Sequence, residues 1–132
     1  MSATKGTGEA GGITDLGQLL SAMQPLLHDE RYGFDTLDPD APLPAPIFAL
    51  IQEEEGMTLV APFPDGEWAR ITLTIHSSLS AVGLSAAIAG TLADRGIPAN
   101  IVAGYHHDHI FVPWARRDEA LAALEALSEQ HS

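Results

Sequence analysis

The chain has 132 residues, 45% of them apolar, no cysteine, and 18 acidic against six basic side chains, a formal charge of -12 with histidines neutral. A chain of this length buries roughly 65% of its extended surface, so a core forms without staples, and the missing thiols exclude disulfides, a cysteine nucleophile and thiolate metal sites. The acidic excess, with no compact basic patch against it, argues against nucleic acid as a partner.

The first twelve residues, MSATKGTGEAGG, hold no apolar run and read as a loose tail lacking the hydrophobic region of a signal peptide. No uninterrupted apolar stretch reaches the roughly 18 residues of a spanning helix, so no membrane partner is expected and the cytoplasm is the expected location. Thr14 is placed to cap a helix over 15–27, whose Leu16, Leu19, Leu20, Met23 and Leu27 recur at helical spacing. Pro25 should kink or shorten its last turn. Short strands are predicted over 32–36, 47–51 and 57–62. Between them, DPDAPLPAP is too rich in proline for an internal strand or helix, and EEEG reads as an exposed turn.

After a second linker at 63–68, the stretch 69–76 alternates, with Ile71, Leu73 and Ile75 on one face and Arg70, Thr72, Thr74 and His76 on the other. An alanine-rich helix is predicted over 79–95, capped by Gly96, then strands over 99–104 and 110–113 and a final helix over 116–127 striped by Ala120, Leu121, Leu124 and Leu127. The order, α-β-β-β then β-α-β-β-α, suits an α+β domain with helices covering one face of an antiparallel sheet. Gly83, Ala87 and Gly90 share a narrow face of the middle helix, where internal glycines cost about 1 kcal/mol each relative to alanine. Either tertiary packing tolerates them, or their missing side chains admit a neighbouring helix or a ligand at the helix start.

Catalytic candidates are few. Tyr105-His106-His107-Asp108-His109 contains residue types that bind zinc or nickel, but strand alternation sends neighbours to opposite faces, and a hydrogen-bonded surface turn or a ligand-gating segment are the competing readings. Ser77 and Ser78 follow His76 without a third orienting group, so a nucleophilic triad is not indicated. Their simpler role is to cap the next helix, whose exposed N–H groups and dipole would equally receive a ligand carboxylate. Glu53, Glu54 and Glu55 cannot all face one ion and read as a solvated turn. Gly6, Gly8, Gly11 and Gly12 form no phosphate loop. Trp68 and Trp114 read as core or interface residues.

The segment ITLTIHSSLSAVGLSAAIAGTLADRGIPANIVAGYHHDHIFVPWARRDEALAALEAL resembles the ACT domain, and more closely a group of small bacterial ACT-like proteins in which a portion like GITDLGQLLSAMQPLLHDERYGF precedes it. The resemblance implies a ferredoxin-like α+β fold, an ACT-type antiparallel sheet with helices on one face, built here as a degenerate tandem repeat. A tail (1–12), a degenerate ACT-like unit (13–64) and an ACT-like domain (65–132) follow from it. It further implies a regulatory or sensor module without catalysis or cofactor, binding a small-molecule effector such as an amino acid, and assembling as a homodimer or even-numbered oligomer. The ligand-binding residues carried over are His76, Ser77, Ser78, Leu79, Val82 and Gly83, with Ala81 beside them, and Asn100, Ile101 and Val102 on the following strand. No metal ligand is carried over. Two departures stand out. The family's Asp-x-Pro-Gly turn is replaced by the serine stretch, and no final strand follows Leu127; a strand from the first half, such as 57–62, is expected to fill that sheet position. The alternative functions are a structural or protein-interaction module with an unidentified protein partner, and a metal-dependent enzyme using the histidine-rich turn.

Overall fold

A computed structural model describes residues 15–132; the expected tail and the expected cap Thr14 lie outside the described residues. The elements in chain order are α1 (Leu16–Ser21), β1 (Pro25–Leu37), β2 (Ala49–Glu53), β3 (Gly56–Pro62), β4 (Trp68–Leu73), α2 (Leu84–Ala93), β5 (Asn100–Ala103), β6 (Asp108–Pro113), a single 3-10 turn (Trp114–Arg116) and α3 (Arg117–Glu129). All six strands join one sheet in the order β2-β3-β1-β4-β6-β5, and every neighbouring pair is antiparallel.

That order contains a repeat. β1, β3 and β2 are laid side by side in the same sequence as β4, β6 and β5, and the two sets meet where β1 pairs with β4. In the second set α2 makes the crossover from first strand to edge strand. In the first set the crossover is the segment 38–48, where Pro39, Pro42, Pro44 and Pro46 forbid a helix. The degeneracy expected of the first half thus has a specific chemical origin.

Three expectations are corrected. The first helix does not run to Leu27: it is capped by the Asp15 carboxylate, which accepts from the Gln18 N–H at 2.9 Å, and it stops at Ser21. Gln24 then takes a left-handed φ of 43° and Pro25, unable to donate, opens β1. Leu27 keeps its place against the core, but from a strand, opposite Ile71. The strand predicted over 32–36 is therefore the end of a 13-residue strand. β1, and not 57–62, occupies the sheet position beside β4; β3 lies on the far side of β1, with Phe34 opposite Val60. Finally, the middle helix begins at Leu84 rather than Leu79. Ser78 and Ser80 close a local turn, Gly83 adopts φ 97°, and Leu79 and Val82 are left 55% and 82% exposed. Its end is as expected, with Gly96 at φ 68° and the Ile97 N–H donating back to Leu92.

The helices lie over one face of the sheet. Leu19, Leu20 and Met23 from α1, Leu84, Ile88 and Leu92 from α2, and Ala120, Leu124 and Leu127 from α3 pack with Ala69, Ile71, Leu73, Ile110 and Val112. The other face carries Tyr32, Val60 and Phe111, with Phe48, Ala49, Trp68 and Val102 packed around them. Trp114 is half-buried, its ring 4.7 Å from the Arg31 guanidinium and 3.9 Å from that of Arg117. Glu53, Glu54 and Glu55 are exposed at the β2–β3 turn, as expected. Among the described residues no helix is long and apolar enough to cross a membrane.

Candidate functional site

The connection from β4 to α2 is anchored at both ends. The Thr74 N–H donates to the Met23 carbonyl at 3.0 Å and its hydroxyl to the Gln24 carbonyl at 3.0 Å, fixing the end of β4 to the corner where β1 begins. Ile75 and Ala81 pack against the helix-side core. Between them the Ser77 hydroxyl donates to the Asp108 carboxylate at 3.3 Å, and a ring nitrogen of His107 lies 3.5 Å from the Ile75 carbonyl. The loop is thereby tied to the histidine-rich turn between β5 and β6. Burial pushes the Asp108 carboxyl above its usual range, against the Ser77 hydrogen bond and the His107 charge, which act to lower it.

Ser77 and Ser78 are buried, but neither caps α2. The Ser78 hydroxyl accepts from the Ser80 N–H at 3.0 Å, and the cap residue of α2 is Gly83, which has no side chain to offer. Gly83 thus leaves the first N–H donors of α2, at the positive end of its dipole, without a side-chain cap from the cap position. Earlier in the same loop, His76 has its Nε2 atom buried without a hydrogen-bond partner among the described residues, and its ring stands 6.0 Å from that of His106. Gly83 also sits against α1: a Cβ there would lie 3.1 Å from a Leu16 methyl group. Gly90 faces open space, so the close approach that its missing side chain would have permitted does not occur there.

The β5 candidates divide between the two faces. Ile101, opposite Ile110, packs against the helix-side core, whereas Asn100 and Val102 stand opposite Phe111 and His109 on the other face. The histidine-rich turn disperses in the same way. Tyr105 and His106 are exposed, His107 and Asp108 face the β4–α2 loop, and His109 turns to the helix-free face. Among the described residues no group of three His, Asp or Glu side chains is arranged to hold a metal ion.

The helix-free face holds a polar cluster that sequence reasoning did not assemble. The Thr72 hydroxyl lies 2.8 Å from His28 Nε2 and 2.9 Å from His109 Nδ1. Arg70 Nε donates to the Tyr32 hydroxyl at 3.0 Å, which donates in turn to Glu30 at 3.1 Å. The alternation of β4 already placed Arg70 and Thr72 on one face. The histidines come from β1 and β6, and their approach needed the sheet order.

The family comparisons follow that architecture. One ACT-domain family model matches residues 11–77 and a second matches 67–126. Among solved structures, a Vibrio cholerae protein of unknown function, described as a possible transport protein, is 41% identical, with 80% of this chain and 89% of that one covered at a TM-score of 0.67. An Agrobacterium tumefaciens protein, 14% identical over 79% of this chain and 87% of its own, shares the fold with a TM-score of 0.64. No curated protein matches the chain.

Proposed function

This chain belongs to the ACT-domain family, and from that premise we propose that it is a regulatory module whose effector, an amino acid or related small carboxylate, binds on the loop 76–83. The ACT fold is characteristically non-catalytic, and its architecture is that of a small-molecule-sensing module. The observation that carries the ligand assignment is the buried His76 Nε2, without a hydrogen-bond partner among the described residues, in the loop that leads to an α2 whose cap residue Gly83 makes no side-chain hydrogen bond. Backbone N–H groups at a helix start accept a carboxylate, and a buried imidazole nitrogen left without a partner costs free energy that a ligand group recovers. Ser77, Ser78, Leu79, Val82 and Gly83 shape the loop in this reading. Ile101 supports it from the core side; Asn100 and Val102 face away and would reach the ligand only across an assembly interface. The units 13–64 and 65–132 are the two repeats, and the cytoplasm is the proposed setting.

Thermal-shift and calorimetric titration with amino acids and small carboxylates tests the assignment. A native-state ligand at 100 times its dissociation constant stabilises by about 2.7 kcal/mol. The expected result is saturable stabilisation that His76→Ala weakens at least tenfold. A panel without any stabilising compound, or binding indifferent to His76→Ala, overturns it.

A second reading, a protein-interaction module, is favoured by the two sheet edges. Among the described residues β2 and β5 each leave one side of the strand unpaired, a ready template for another chain. A stable stoichiometric protein partner, captured with or without small molecules, distinguishes this reading from sensing.

A further inference from the structure

We propose that the helix-free face of the sheet carries an oxyanion-binding site centred on Arg70 and completed by His28, Thr72 and His109, taking a small carboxylate or phosphate. It is separate from the loop 76–83 and does not depend on the effector reading.

The first observation is a positive charge without a directly paired carboxylate, Glu30 being reached only through the Tyr32 hydroxyl. Arg70 is half-buried, and among the described residues no carboxylate lies within ion-pair distance of it. Its flat faces are taken by rings, with Phe48 4.7 Å and Tyr32 5.1 Å from the guanidinium carbon. Its edge is spread over three acceptors: Nε on the Tyr32 hydroxyl, Nη1 at 3.4 Å from His109 Nδ1 and Nη2 at 3.4 Å from His28 Nδ1. With arginine as the donor, both Nδ1 atoms take the acceptor role of an unprotonated ring nitrogen. The Thr72 contacts then resolve in one way: His28 Nε2–H donates to the Thr72 oxygen, and the Thr72 hydroxyl donates to His109 Nδ1.

The second observation is the donor surplus that this pattern leaves. A guanidinium has five N–H groups; the Nε–H is taken by Tyr32, while the two terminal nitrogens make only the 3.4 Å contacts to the imidazoles, and the single lone pair of His109 Nδ1 already receives the Thr72 hydroxyl at 2.9 Å. One N–H on each terminal nitrogen and the Nε2–H of His109 have no acceptor among the described residues. A forked guanidinium with spare N–H groups fits the paired oxygens of a carboxylate or phosphate. His28, Arg70 and His109 are each only half-buried, so solvent and a small ion have access.

Protonation of the histidines would follow the anion. Burial first, then the Arg70 charge, lower the pKa of both imidazoles; His107 and His28 add to this at His109, while Glu30 and Asp29 oppose it at His28. An anion placed beside Arg70 cancels part of that field and draws protons onto the rings.

Ring-nitrogen NMR of the full chain, titrated with inorganic phosphate or with acetate against sodium chloride at equal ionic strength, tests the site. The expected result is a saturable shift of His28 and His109, with His109 titrating about one pH unit higher, while His131 at the end of α3 stays still. Phosphate alone acting assigns the phosphate class, acetate alone the carboxylate class. Arg70→Gln should abolish the response and Arg70→Lys should weaken it at least tenfold. Equal shifts with chloride, no response from either ring, or a response retained in folded Arg70→Gln overturns the proposal. The chloride comparison on the unmodified chain decides the matter even where Arg70→Gln does not fold.

Discussion

Gly83 and Gly90 lie seven positions apart in one sequence segment and answer to different constraints. Gly83 sits at φ 97° with Leu16 a methyl contact away, so both backbone and packing oppose a side chain. Gly83→Ala should cost about 1–2 kcal/mol in urea denaturation. Gly90 is inside α2 with nothing near its Cβ direction, and Gly90→Ala should stabilise by about 0.5–1 kcal/mol. His109 gives a pH signature. Its pKa is pushed down to about 4, first by burial and then by Arg70. The folded chain thus prefers the neutral ring, and the unfolded chain takes up the proton first. Stability from this group is complete above the usual 6.5 and is lost as pH falls from there towards 4, a loss on the order of 1 kcal/mol once solvent screening is allowed for. His28, also lowered, acts in the same sense; Asp108, raised by burial, works oppositely at the acid end. His109→Asn should flatten the profile of unfolding free energy between pH 4 and 6.5.

At the scale of elements, α1 and β1 tie the two repeats into one structure. α1 has only six residues, too few to persist by helix propensity, and it is held because Leu19, Leu20 and Met23 close the helix-side core and the Ser128 hydroxyl donates to its Ser21 carbonyl at 3.0 Å. Leu19→Ala, fully buried, should therefore destabilise by about 2–5 kcal/mol. β1 lends β4 its outer neighbour, pairing Pro25 to Leu27 with Leu73 to Ile71 and, past a register shift, Arg31 and Tyr32 with Ala69 and Trp68. The chain 65–132 expressed alone would lose that strand and α1 together. It should show no cooperative thermal transition as a monomer, and a two-state melt from such a fragment would establish that the second repeat is self-sufficient.

For the molecule as a whole, the open edges of β2 and β5 and the formal charge of -12 act against each other in assembly. Edge pairing offers backbone hydrogen bonds, and two copies of the same acidic chain repel until salt screens them. The proposed homodimer should be strengthened as ionic strength rises, read by light scattering across protein concentration. A mass that stays near 14.0 kDa at low and high salt rejects it.

Periodicity made much of this protein legible. The alternation that begins at Ile71, the stripe of α3 and the Gly96 cap depend on neighbours in the chain, and the elements formed there, although β4 ends at Leu73, short of the strand expected to reach His76. The ACT relationship was likewise carried by contiguous residues. Local patterns misled where the same apolar residue served two geometries: Leu27 fitted a helical stripe, yet Pro25 had already removed the donor a helix needs, and β4 offered an extended partner. Leu79 and Val82 looked helical until Gly83 set the start of α2 behind them. Sheet order was beyond any local signal, because pairing β1 with β4 is a choice among strands distant in the chain, made by which arrangement buries α1, α2 and α3 on one face. Only that choice brought His28, Arg70, Thr72 and His109 together across three strands.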